Sequence, residues 1–140
     1  IKSNAFLEYT RVFNDNYYGT PRAYVEEKLK EGRDVLLDID VVGAMNVMNS
    51  VENAITIFIV PPSMEKLRDR LIRRGTEPVD VVERRFHVAN QEIEYLDKYD
   101  YVVVNDVLEN AVDTIAAILT AERSRTFRNK GLKNQILGRL

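Results

Sequence analysis

The sequence predicts an α/β fold with a parallel sheet. Two observations carry that reading. Short apolar runs of the kind that form strands buried on both faces occur at residues 34–40 (DVLLDID), 54–60 (AITIFIV) and 101–104 (YVVV). Stretches with helical apolar spacing separate them, so the order is strand, helix, strand, helix pair, strand, helix.

Each element has a local reason. Residues 6–13 (FLEYTRVF) mix aromatic and polar side chains at strand-like density, and residues 14–16 read as a turn. Thr20 is placed to cap a helix that opens on Pro21 and closes at Gly32, with Val25 and Leu29 as its apolar edge. A short helix is expected at 43–51. Pro61 and Pro62 stop the second strand. Ser63 caps a helix with Met64, Leu67 and Leu71 on one face, and Gly75 ends it. Pro78 starts the next, with Val79, Val82, Phe86, Ala89, Ile93 and Leu96 at helical spacing. Asp106 and Glu109 resemble a capping box ahead of a last helix carrying Leu108, Val112, Ile115 and Leu119.

Composition bounds the function. The 140 residues suit one domain, and 45% apolar content allows a real core. The charged fraction is 30% but the net charge is only −2, which argues against a disordered polyelectrolyte and calls for neither nucleic acid nor membrane as partner. There is no cysteine, hence no disulfide framework and no thiolate metal site. No apolar run approaches the roughly 18 residues of a membrane span, and no signal-peptide pattern opens the chain. A cytoplasmic location is expected. The chain starts on Ile1 within a structured-looking stretch, so an N-terminal part is expected to precede it. Residues 121–140 hold six Lys or Arg and one Glu, about +5, against about −7 for the rest. They read mainly as a solvated helix end and tail.

Several side chains can carry chemistry. Asp38 and Asp40 close a strand-like run and share a face, where ligands of α/β sheets sit; such acids hold Mg²⁺ or a nucleotide, or Asp40 simply opens the helix near Gly43. Arg70 and Arg74 are four apart, and Arg85 follows the Gly75-Thr76 turn. Three guanidinium groups there can close over phosphates, or form a solvated basic face paired with Glu65, Asp69, Asp80 and Glu83. Glu8, between Leu7 and Tyr9, can accept two N–H donors from the Watson–Crick edge of guanine, or face outward. His87 is the only histidine and is read as structural, with no transition-metal site around it.

Together the blocks FLEY (6–9), NYYGTP (16–21), DVLLDID (34–40), IFIVPPS (57–63), RRGT (73–76) and YVVVND (101–106) resemble the guanylate kinase family over about residues 1–120. The resemblance implies a P-loop nucleoside monophosphate kinase-like parallel sheet with flanking helices, a GMP-binding subdomain and a helical lid, its N-terminal part absent. It implies a partial kinase domain at 1–127, with 1–20 in the GMP-binding region, 34–62 and 98–120 as core, and 63–97 as lid and flanking helices. A basic tail follows at 128–140.

The implied activity is phosphoryl transfer from ATP to GMP with Mg²⁺. The implied roles are Glu8 and Thr20 on the guanine, Tyr18 on the GMP phosphate, and Asp38 and Asp40 near GMP and the Mg²⁺ region. Arg70, Arg74 and Arg85 would close on the ATP phosphates, and Asn105 would lie near the adenine. A homodimer is one assembly compatible with this reading. Family members also carry a G-x-x-x-x-G-K-[ST] phosphate loop on a central first strand, and none of the six glycines here belongs to one. The 140 residues alone are therefore expected to be inactive. The alternative is a non-catalytic guanylate-kinase-like interaction module, against which the retained Glu8, Tyr18, Asp38 and arginines weigh.

Overall fold

The computed structural model describes residues 5–12, 16–75 and 77–139, with the backbone alone described at 9–12 and 16–18. Two compact units emerge, Ile1–Ile57 with Gln91–Tyr101, and Phe58–Asn90 with Val102–Leu140.

In the first unit β1 (Phe6–Val12) pairs antiparallel with β2 (Asn16–Pro21), and Glu8 lies opposite Thr20. Directly opposed residues share a sheet face. That register overturns the expected helix cap: α1 (Arg22–Lys30) starts with Pro21 at its N-cap position and no capping side chain, because Thr20 stays in the strand facing Glu8. The helix ends as the sequence predicts. Gly32 takes φ +78°, and the amides of Gly32 and Arg33 return to the carbonyls of Leu29 and Lys28, a Schellman closure.

Residues 34–40 depart from expectation. Among the described residues no strand pairs with them, and their side chains alternate. Val35, Leu37 and Ile39 pack on a core of Leu7, Val25 and Val47, whereas Leu36 is 69% exposed and Asp38 and Asp40 face solvent. A strand requires a backbone partner as well as an apolar sequence. α2 (Val41–Ser50) then buries Val41, Ala44 and Val47, with the Asp40 carboxylate capping it through the Gly43 amide at 2.8 Å. Further on, the amide and hydroxyl of Thr56 both donate to the Asp100 carboxylate, at 2.9 and 3.1 Å.

The second strand pair is parallel. Tyr101 donates its amide to the Thr56 carbonyl and Asn105 to that of Val60, the same offset at both ends of β3 (Ile57–Val60) and β4 (Tyr101–Val104). Only one face is covered: Val103 is 2% exposed, while its neighbours Val102 and Val104 are open. The two-sided burial expected for these runs is therefore not present.

α3 (Met64–Arg73) opens on Ser63, whose hydroxyl accepts from the Lys66 amide, and its Met64, Leu67 and Leu71 are half-buried as patterned. Gly75 takes φ +62° after it. α4 (Val79–Glu92) buries Val82 and runs into a 3₁₀ turn, Ile93–Lys98. α5 (Leu108–Arg123) lacks the expected capping box: its N-cap is Val107, and Asp106 is turned instead towards Lys66 and Arg70. Its buried line runs through Ala111, Ile118 and Glu122 rather than through Leu108 and Val112, which are exposed. Near the end of the chain, Arg125 and Arg128 lie 3.7 Å from the Glu122 carboxylate and flank the Phe127 ring, ahead of the short α6 (Leu132–Ile136).

Candidate functional site

Each unit holds one cluster of the residues singled out from the sequence. In the first, β1 and β2 place Glu8 and Thr20 face to face, and the Thr20 hydroxyl donates to Glu8 Oε1 at 2.6 Å. Glu8 is only 6% exposed. A carboxylate so deeply placed loses water as a hydrogen-bond partner, and the Thr20 hydroxyl replaces part of it. Its other oxygen lies over the start of α2: a Cβ added to Gly43 would sit 3.0 Å from Glu8 Oε2 and 3.2 Å from Asp40 Oδ1. Thus Glu8 links Thr20, through one oxygen, to the Asp40-capped first turn of α2, beside its other oxygen.

Asp40 also does what the plainer reading assigned it, capping α2. Asp38 is exposed two residues earlier, and no hydrogen bond or ion pair is described for it. Tyr18 stands opposite Thr10 in the β1–β2 ladder, and its side chain lies outside the described residues.

Negative charge accumulates around this cluster. Burial raises the Glu92 carboxyl above its ordinary value, and the Asp40 charge adds to the rise. Tyr99 is raised too, first by burial, then by Glu92 and Asp40.

The second cluster lies on α3 and the end of β4. A cavity of about 290 Å³ is lined by Arg70, Arg74, Leu67, Leu71, Pro61 and Asn105, among others. Arg70 Nη1 donates to the Asn105 carbonyl at 2.7 Å, and its other terminal nitrogen lies 3.9 Å from Asp106. Helical spacing brings Arg70 and Arg74 to the same wall. Arg85 does not line this cavity; it is bound by Glu77 at 2.8 Å. The basic face thus pairs differently from the sequence reading in part. Arg84 reaches Asp80, and Arg68 pairs with Glu83 and covers the Phe86 ring, but Arg70 and Arg85 take Asp106 and Glu77. His87 is exposed on α4. Among the described residues no three His, Cys, Asp or Glu are grouped to hold a metal ion.

The first unit thus holds a carboxylate cluster suited to N–H donors, and the second, by itself, a cavity walled by arginines of the kind that bind phosphate. The guanylate kinase family model matches residues 1–122. The chain belongs to the guanylate kinase family. It is 48% identical over 132 residues to the guanylate kinase of Caldanaerobacter subterraneus subsp. tengcongensis, covering 94% of this chain and 64% of that relative. It is 49% identical over 130 residues to the guanylate kinase of Clostridium tetani, covering 93% and 62%. The crystal structure of guanylate kinase from Anaplasma phagocytophilum superposes with a TM-score of 0.73 at 38% identity, over 91% of this chain and 61% of that one. The chain thus spans less than two thirds of the length of these guanylate kinases. The mixed α/β architecture agrees with the family fold. No helix among the described residues is long and apolar enough to cross a membrane.

Three participants escaped the sequence reading. Asp106, expected to open a helix, faces Lys66 and Arg70. Glu77, in the turn ahead of the helix that carries Arg85, pairs with that arginine, and an acid just before Pro78 is the signal for it in the sequence. Gly43, expected only to mark the start of a helix, lies against two carboxylates. A glycine in the first turn of a helix, three residues after an acid, is the pattern that could have flagged it.

Proposed function

We propose that these residues supply the GMP-reading pocket and the arginine lid of a kinase that moves the γ-phosphoryl group of ATP to GMP, giving ADP and GDP. The observation that carries the reading is the Glu8–Thr20 pair, a nearly buried carboxylate tied by one oxygen, its other oxygen beside the Asp40-capped first turn of α2. Such a carboxylate accepts the ring N–H and amine of guanine, whereas adenine would oppose a lone pair to it. Thr20 steadies the acid and reaches the base, Tyr18 takes the GMP phosphate, and Asp38 and Asp40 complete the GMP side. Arg70, Arg74 and Arg85 neutralise the triphosphate, with Asn105 by the adenine.

In the transfer, a GMP phosphate oxygen attacks the γ-phosphorus in line, and the bond from that phosphorus to the β–γ bridging oxygen breaks. Charge spreads over the equatorial oxygens, and the guanidinium groups offset it. Arg85 must leave Glu77 to take part. Mg²⁺ enters with ATP as part of that substrate. The described residues form no metal cage of their own. We also propose the cytoplasm as its compartment.

The 140 residues hold no Gly-rich phosphate loop with its lysine. The chain by itself is then without turnover while keeping the guanine pocket. A coupled ATP/GMP assay together with calorimetric GMP and AMP titrations tests this. We expect no ADP formation and tighter binding of GMP than AMP. Turnover near that of a complete guanylate kinase would defeat the predicted inactivity, and equal binding of GMP and AMP would defeat the guanine reading.

A further inference from the structure

The close approach at Gly43 carries an inference that rests on the guanine-reading role of Glu8. We propose that Gly43 is a specificity-determining positioning residue: its missing side chain lets the Glu8 and Asp40 carboxylates share the space above the first turn of α2.

The geometry leaves little freedom. A Cβ at position 43 would meet Glu8 Oε2 at 3.0 Å, Asp40 Oδ1 at 3.2 Å and Ile39 Cβ at 3.3 Å, all tighter than ordinary van der Waals contact. Long surface side chains yield readily to such crowding, but Glu8 is confined. It is nearly buried, held through its other oxygen by the Thr20 hydroxyl at 2.6 Å, and fixed by the strand register that opposes it to Thr20. Asp40 is fixed as well, since the oxygen near the added Cβ is the one that caps the Gly43 amide at 2.8 Å. Ile39 packs on the core. The least constrained response is displacement of Oε2, the carboxylate oxygen of Glu8 that Thr20 does not hold.

Gly43 is also out of place by helix energetics. It lies in α2, away from any C-terminal turn, and carries no positive φ that would require glycine. Alanine is the better helix former at such a position. A glycine serving only the helix would therefore be improved by alanine. One serving the carboxylates would not, because the methyl group trades helix propensity against the position of Glu8.

The experiment compares the wild-type 140-residue chain with Gly43→Ala, Glu8→Gln and the double variant, by calorimetric titration with GMP and AMP and by thermal melting. For Gly43→Ala we expect no gain in melting temperature despite the better helix former, a GMP affinity at least tenfold lower, and an AMP affinity within twofold of wild type. The double variant should bind GMP no more weakly than Glu8→Gln alone, because Gly43 acts through that carboxylate. An unchanged GMP-to-AMP ratio in Gly43→Ala, or losses that multiply in the double variant, overturns the proposal. Should Gly43→Ala melt below wild type, Glu8→Ala in the same chain must restore the melting temperature by removing the crowded group; failure to restore it overturns the proposal too. A wild-type chain that does not prefer GMP to AMP sinks the guanine reading itself, and this inference with it.

Discussion

The Thr20 hydroxyl meets Glu8 Oε1 at 2.6 Å across the β1–β2 ladder, joining residues 12 positions apart in sequence. A short hydrogen bond to a nearly buried carboxylate steadies the acid while leaving lone pairs on both of its oxygens for a ligand. Replacing Glu8 with Gln keeps the shape but turns one acceptor into a donor. GMP binding is expected to weaken by about 1.5–3 kcal/mol relative to ATP binding, the range for a hydrogen bond to a charged group. Calorimetry with each nucleotide separates the two, and an equal loss for both would speak against base reading.

Thr20→Val keeps the branched shape and removes only the donor. Stability to urea is expected to fall by about 1–3 kcal/mol, because the buried acid loses its hydroxyl partner. Thr20→Ser should recover most of that loss. If Val and Ser behave alike, the hydroxyl is not what holds Glu8.

Arg70 reaches the Asn105 carbonyl and Asp106 from one planar group. Lysine cannot reproduce that fork. In the arginine-walled cavity, Arg70→Lys is expected to weaken ATP binding roughly tenfold while leaving GMP binding unchanged, since one hydrogen bond to a charged group is worth about 1.5–3 kcal/mol. Fluorescent-ATP displacement and GMP titration read the two effects separately.

Glu77 competes with any phosphate for Arg85. Because both side chains are partly open to water, Glu77→Gln should shift folding stability by less than about 1 kcal/mol. ATP should bind more tightly once Arg85 is released. Weaker ATP binding in that variant would mean that Glu77 places Arg85 rather than withholding it.

Glu92 gives a pH signature. Burial, reinforced by Asp40, raises its folded pKa above the ordinary carboxylate value. Between the unfolded and the raised folded value, the native chain binds more protons than the unfolded one. Stability from this group therefore falls as pH rises through that window and recovers on mild acidification. Glu92→Gln should raise the melting temperature at neutral pH, and the gain should shrink towards pH 4.5, the group's ordinary value. A gain that does not depend on pH would point to packing instead of charge.

Signals that act over a few residues were legible in the chain itself. Asp40 and Ser63 cap the helices their positions suggested, and Gly32 closes α1 in the left-handed conformation. The motif blocks that marked the family were equally visible, because spacing along the sequence survives without coordinates. Only the tertiary structure decided that residues 34–40 stay outside any described ladder, that Thr20 serves Glu8 instead of α1, and that Asp106 faces Arg70 rather than capping α5. It also revealed the pressure of Glu8 on Gly43. A cap or turn is fixed by backbone torsions within one turn of chain. A strand partner or the neighbour of a buried carboxylate is fixed by segments tens of residues away, and apolar or polar character alone does not say which segment will arrive.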